Sequence, residues 1–438
     1  MSFAKWGSAT LGCQIIGLFC AAIRGMIIAH ILGPEGNGIV TLTLLYPELF
    51  FNLFYLSLPA SYVHYIGKGG YKIGNFGANS LLFTGILGGL SILFFIPTFI
   101  FFKEWFYPGM KGVYLLVTMP LTPFIMTIYY FSAILQGTYN IRDYNLVFLL
   151  WKILGMLLVV ALVFILKLEV WGAIIGGGLA IIFSGILGIY LVSRITKKEK
   201  WQINFSLLKE TLKDGLKLHI GCIASFLRSR VNLFLINYYL SVKDVGLFSV
   251  SLAISELLLL IPYSTSTVLW PKVASCDEKE ARRLTALVCR HTLLLAIVGG
   301  IIIGIGAKFF VLIFGGRQFL PAIPSLIILI PGMVIYSIGQ SVNGLVIRHK
   351  KFLLASYISL FLTFVNIMAC IILIPHYKLM GAALSTLLTN VLMCISGMFF
   401  FSLLGKGNIK ELFIFTKEDL LLYKDLLKRC MGKLKHLS

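Results

Sequence analysis

Long apolar stretches alternate with short polar breaks along the whole chain. A bilayer core about 30 Å thick needs about 20 apolar helical residues at 1.5 Å rise. Stretches of that length lie near 8–32, 38–66, 73–102, 112–135, 146–166 and 172–193. After a polar break, six more lie near 215–240, 246–271, 284–314, 321–347, 353–374 and 379–404. None shows the period-two alternation of the roughly ten-residue strands of an outer-membrane barrel. The pattern predicts an all-α integral membrane protein with about 12 transmembrane helices. The first stretch follows a single lysine and has no small-residue cleavage pattern after it, so a retained helix is expected there.

Composition agrees with this reading. Of the 438 residues, 58% are hydrophobic and 13% charged. Soluble domains run nearer 45–50% and about 25%, so a water-soluble enzyme is excluded. The net charge of +21 would point to nucleic acid in a soluble protein. Here the positions of the cations decide otherwise. With the N-terminus inside, 26 of the 38 basic residues fall in inner segments and seven in outer loops, and five lie within or near spans. That asymmetry is the positive-inside signal. It places both termini in the cytoplasm and removes the motive for a nucleic-acid partner. The eight cysteines have no CxxC spacing and read as small buried residues. The histidines lack metal-ligand spacing, so neither a metal nor a cofactor is expected.

The chain also repeats itself. Residues 38–50 (GIVTLTLLYPELF) resemble 246–258 (GLFSVSLAISELL) at an offset of 208. Gly137 matches Gly344 at 207, and Gly172-Ala173 matches Gly381-Ala382 at 209. Three landmarks agreeing to within a residue indicate a duplication, giving lobes at 1–200 and 201–405 and a tail at 406–438. Six spans per copy make the repeat parallel, with a pseudo-two-fold axis along the membrane normal and a cleft expected between the copies. Small residues at close-packing spacing (Gly85 and Gly89, Gly172 and Gly176, Gly300 and Gly304) predict tight helix contacts. In the tail, Thr416 can cap a basic amphipathic helix that would lie on the anionic inner leaflet. Docking of that helix on a cytoplasmic glycosyltransferase is the alternative.

Charges within spans need a reason, because each costs several kcal/mol at the bilayer centre. Arg24 lies roughly 13 Å from the outer turn at Gly33, and Glu48 roughly 15 Å from Gly38, by helical rise. The second copy repeats this with Arg230 and Glu256, and Arg228 lies half a turn from Arg230. Two readings stay open. The pairs Arg24–Glu48 and Arg230–Glu256 could only brace their hairpins. Alternatively the arginines bind an anionic group, with the glutamates as counter-charges or as sites for a coupling cation (H+ or Na+). Arginine suits the second role because its planar fork donates two hydrogen bonds to phosphate and stays charged. Lys152 and Arg290 lie near cytoplasmic ends of spans, where long side chains snorkel; Arg290 could also form the inner mouth of the cleft. Gln340, Asn343, Asn52, Asn232, Asn366 and Asn390 fit either sugar contacts or interhelical hydrogen bonds.

The two-times-six layout resembles the multidrug/oligosaccharidyl-lipid/polysaccharide (MOP) exporter superfamily. The likeness also rests on Arg24 with the turn Ile31-Leu-Gly-Pro-Glu-Gly-Asn-Gly38, on Tyr239-Leu-Ser-Val-Lys-Asp-Val-Gly246, and on Gly381-Ala-Ala-Leu384. It is closest to the polysaccharide-transporter branch, the Wzx-type flippases. The resemblance implies a V-shaped pair of lobes in a bacterial inner membrane. It further implies alternating access that moves an undecaprenyl-diphosphate-linked oligosaccharide to the outer leaflet. A monomer is expected, with membrane lipid and glycan-assembly enzymes as its other partners. The resemblance would place Arg24 and one or both of Arg228 and Arg230 at a cationic cavity. Span one lacks the carboxylates of the drug-efflux branch, which weighs against the alternative of cation-coupled efflux. A membrane-embedded polymerase or ligase is disfavoured by the short outer loops.

Overall fold

A computed structural model describes residues 3–106, 108–414 and 419. The amphipathic helix expected after Thr416 lies outside the described residues. Among those described there is no strand. The helices are α1 (Phe3–Phe54), α2 (Leu58–Lys68), α3 (Ile73–Phe106), α4 (Gly112–Thr118), α5 (Leu121–Gly137), α6 (Ile141–Val159) and α7 (Glu169–Ile195). They continue with α8 (Phe205–Tyr239), α9 (Val242–Glu256), α10 (Leu260–Ser275), α11 (Glu278–Ile305), α12 (Ala307–Gly315), α13 (Ile323–Arg348) and α14 (Phe352–Gly405).

Nine helical stretches among the described residues are long and apolar enough to cross a membrane. Eleven of the expected twelve spans map onto these nine stretches. α1 carries two, separated at Gly33 (φ 65°), and α14 carries two, separated at Lys378 (φ 52°). α8 supplies the twelfth; Arg228, Arg230, Asn232 and Asn237 dilute its apolar stretch. Several spans are broken inside, which periodicity alone does not foretell. The second stops at Phe54 and resumes as α2, with Leu56 and Ser57 left-handed between them. The fourth breaks before α5, where Pro120 interrupts the helical ladder. The eighth passes through a 3-10 turn at Leu257–Leu259, directly after Glu256.

By packing, the described chain divides into two compact units. The first holds residues up to Ile254 with Gly306–Ile327 and Ser356–Ser385; the second holds Ser255–Ile305, Ile328–Ala355 and residues from Thr386 on. In the first unit, α5, α6 and α7 pack on one another and on α1. Its main core gathers Leu58, Tyr62, Phe76, Tyr130, Phe131 and Leu207, all fully buried. The glycine spacing of α7 acts as expected: a Cβ on Gly172 would lie 2.8 Å from the Leu162 carbonyl, and one on Gly176 would lie 3.1 Å from the Val159 nitrogen. Gly381 closes the equivalent hairpin of the second copy against the Leu373 carbonyl. Gly300 of the second unit packs on Val334 and Ile330. Gly85 and Gly89 depart from the expectation, since a Cβ at either meets nothing within 4 Å.

The repeat is visible as a contact. A Cβ on Gly38 would overlap the Val242 carbonyl oxygen, and one on Gly246 would overlap the Pro34 carbonyl oxygen. Both residues of each contact are displaced by the same 208 positions as their counterparts. The openings of the second span and of α9 therefore cross symmetrically, glycine over first-turn carbonyl. Asn37 secures the crossing by donating to the Gly246 carbonyl (3.1 Å) and to Ser249 Oγ (2.9 Å).

Candidate functional site in the membrane

The expected site residues fall in both units. Arg24, Glu48, Arg228 and Arg230 belong to the first; Glu256, the last residue of α9, and Arg290 of α11 belong to the second.

In the first unit the helices bring Arg24 and Glu48 of α1 into a common environment with Lys152 of α6. All three are half-buried. The Arg24 guanidinium rests beside Gly155, where an added Cβ would lie 3.6 Å from Nη1. One turn earlier Lys152 packs beside Gly17 of α1. Its ammonium lies 4.2 Å from the Trp151 ring centroid and 5.7 Å from that of Phe148, within cation–π range. Lys152 is within electrostatic reach of both Arg24 and Glu48, and Tyr129 is within reach of Glu48. The sequence reading of Lys152 is a snorkelling side chain; in the structure it packs along α1. The phase of α6 turns the side chain toward α1, where Gly17 leaves room for its stem, so the ammonium stays among helices. The cluster holds two basic groups and one carboxylate, an excess of positive charge set within the membrane span.

The polar spans of the first unit are knit by interhelical bonds. Asn366 Nδ2 of α14 donates to the Arg228 carbonyl of α8 (3.1 Å), and Cys370 Sγ of α14 lies 3.3 Å from Asn232 Oδ1 of α8 and, within its own helix, 3.2 Å from Asn366 Oδ1. Asn52 instead bonds within α1, donating to the Glu48 carbonyl at 2.8 Å. In the second unit Asn390 lies against Met333 Sδ at 3.8 Å, and Gln340 accepts from Asn343 at 3.2 Å. For Asn232 and Asn366 the interhelical reading accounts for the bonds seen.

Arg290 lies on α11. It is buried in the second unit, where Nη1 donates to the Glu411 carbonyl (2.6 Å) and Nη2 and Nε face the Asp419 carboxylate at 3.0 and 2.9 Å. His291 Nε2 lies 3.3 Å from the same carboxylate. Nothing in the spacing of α11 announces these partners, because Asp419 is more than a hundred residues away.

Residues 3–277 match the family of polysaccharide biosynthesis proteins, which is more than half of the chain. No curated protein matches the chain in sequence. Among solved structures, it is similar to an inward-facing multidrug resistance MATE family transporter of the MOP superfamily (TM-score 0.71, 17% identity, covering 90% of this chain and 95% of that one). It is similar also to the lipid II flippase MurJ in an inward closed conformation (TM-score 0.69, 17% identity, 93% and 89%). A third likeness is a MOP superfamily transporter from Pyrococcus furiosus whose binding pocket is described as reversed in polarity (TM-score 0.67, 15% identity, 93% and 95%). At these identities the likeness is one of fold.

Proposed function

Because the chain belongs to the polysaccharide biosynthesis protein family and has the fold of the MOP transporters, we propose that it flips a polyprenyl-diphosphate-linked oligosaccharide. The direction is from the cytoplasmic to the outer leaflet of a bacterial inner membrane, by alternating access, with both termini cytoplasmic. The observation that carries this reading is the Arg24–Lys152–Glu48 cluster. A diphosphate brings negative charge into the membrane, and two cations beside one carboxylate supply the complementary excess. Arg24 offers a planar fork for phosphate oxygens and Lys152 a mobile ammonium. Glu48 holds the pair compensated between cargoes. Arg228 and Arg230 on α8 add further positive charge within the first unit, and a coupling H+ or Na+ would act at the glutamates, Glu48 and Glu256. A cationic drug would meet net repulsion at such a cluster, so efflux is the weaker reading.

A charge-assisted hydrogen bond contributes about 1.5–3 kcal/mol, so losing one weakens cargo handling about ten- to hundredfold. Arg24→Gln with Lys152→Gln should abolish appearance of the lipid-linked glycan on the outer leaflet while the protein stays at its normal level in the membrane. Normal surface glycan in that double variant would sink the proposal. Charge exchange between Arg24 and Glu48 separates the two roles of the pair. A bracing pair regains activity on exchange, whereas a phosphate site does not.

A further inference from the structure

The polar break between the sixth and seventh spans is not a loose connection. The Asn79 side chain holds the Asn204 backbone, Nδ2 donating to its carbonyl and Oδ1 accepting from its N–H, both at 3.1 Å. Trp201 lies on Gly77 and stacks at 6.0 Å on Phe131, while its indole donates to Thr196 Oγ1 at 2.8 Å. Asn204 then caps α8 by accepting from the Leu207 N–H at 2.9 Å. α8 packs through the row Leu207, Thr211, Gly215 and His219, all buried.

This docking sorts the charges of the segment by sign. Its three carboxylates are all engaged with the first unit. Glu199 accepts from the Gly74 N–H (2.6 Å) and Glu210 from Tyr71 (3.0 Å). Asp214 accepts from Tyr65 (2.8 Å) and Lys217 (2.6 Å). The lysines go the other way. Lys197, Lys198, Lys200, Lys209 and Lys213 are exposed, as are Lys68 and Lys72 of the neighbouring turn. Bulky apolar side chains stand out among them: Phe205 is 75% exposed, and Ile203, Leu216 and Ile220 about half. A surface meant for water alone has no use for that mixture, whereas a headgroup layer solvates the ammoniums and takes the apolar groups at its acyl boundary.

We propose that this face of the first unit is a binding surface for anionic phospholipid headgroups, with the five lysines of the segment holding phosphate and Phe205 and Leu216 entering the acyl boundary. An acidic protein would satisfy the lysines but would give the scattered apolar side chains no continuous hydrocarbon. The surface shares no residue with the proposed cargo site, and its assignment does not depend on what the cargo is.

The test uses the full chain purified in detergent, titrated with phosphatidylglycerol or phosphatidylcholine while thermal unfolding is followed. Phosphatidylglycerol should raise the unfolding temperature and phosphatidylcholine should not. Each lysine near an anionic surface strengthens attraction about fivefold, so a variant with Lys197, Lys198, Lys200, Lys209 and Lys213 changed to Gln should need at least about tenfold more phosphatidylglycerol for the same shift. An unchanged titration in that variant overturns the assignment. So does an equal shift from soluble poly-glutamate at matched charge, which would indicate an acidic protein partner. Should the variant not fold, the wild type decides alone. Its shift must collapse near 1 M salt, where the Debye length is about 3 Å, and a shift that persists there refutes the proposal.

Discussion

The glycine crossing between the second span and α9 yields the sharpest stability prediction. At Gly246, an alanine methyl would enter the space of the Pro34 carbonyl oxygen and lie 2.9 Å from the Gly38 nitrogen. Both obstacles are backbone, so no rotamer change relieves the overlap and the helices must part. Overpacking of this kind costs about 1–3 kcal/mol. Against it stands the gain of about 0.5–1 kcal/mol from replacing glycine by alanine in a helix. Gly246→Ala should therefore be less stable by about 1–2 kcal/mol, and Gly38→Ala by a similar amount because its obstacle, the Val242 carbonyl, is the repeat counterpart. Gly85→Ala and Gly89→Ala in α3 are the controls. They meet no atom within 4 Å, so only the helix-propensity gain remains and stability should hold or rise. Once one methyl has spread the crossing, the second enters space already opened. The double variant Gly38→Ala/Gly246→Ala should then lose less than the sum of the singles, a coupling of the size found for residues in contact. Denaturant unfolding in detergent, followed by tryptophan fluorescence, measures the five variants against wild type. Additive losses at Gly38 and Gly246, or a Gly246→Ala protein as stable as Gly89→Ala, would refute the close crossing.

Asp419→Asn should destabilise the second unit by about 3–5 kcal/mol, the usual consequence of stranding one member of a buried ion pair; Arg290 and Asp419 are 6% and 0% exposed. Changing both, Arg290→Gln with Asp419→Asn, should lose less in the same unfolding assay, and an equal or greater loss would show that the two charges do not act as a pair. On the linker, the Lys217 ammonium and the Tyr65 hydroxyl hold the Asp214 carboxyl below its usual range. A depressed folded-state pKa stabilises above the ordinary carboxylate value, near 3.9, and that contribution disappears as pH falls through the folded one. Wild type should thus lose more stability between pH 6 and about pH 3 than Asp214→Asn, by a small margin because the pair is partly exposed. Parallel acid profiles would contradict it.

The fold was legible in the sequence because membrane insertion imposes a one-dimensional rule. Every span needs about 20 apolar residues whatever its neighbours do, so length and hydropathy sufficed for twelve spans, and the basic residues for a proposed orientation. The duplication was legible too, since a repeat is a property of residue order. The breaks at Leu56–Ser57 and Leu257–Leu259 were not, because the leucines are as apolar as the helices beside them and a lone serine does not interrupt a span.

For the candidate site the division runs through single residues. Arg24 and Glu48 stand out in sequence as charges deep in apolar stretches. Lys152 gives no such signal, because a lysine near a span end can reach water unless a neighbouring helix turns it inward. That choice depends on the phase of α6 against Gly17. Arg290 likewise shows its charge in the sequence but not the carboxylate that meets it. The linker shows the same limit: its composition is mixed, and only docking on the first unit turns Glu199, Glu210 and Asp214 inward and leaves the lysines out. Sequence by itself determined which segments enter the membrane and how the chain repeats, since hydrophobic length and residue order are local quantities. Which charges meet, and which face outward, was decided only by tertiary structure, because helix phase and long-range packing place side chains from distant segments at hydrogen-bonding distance.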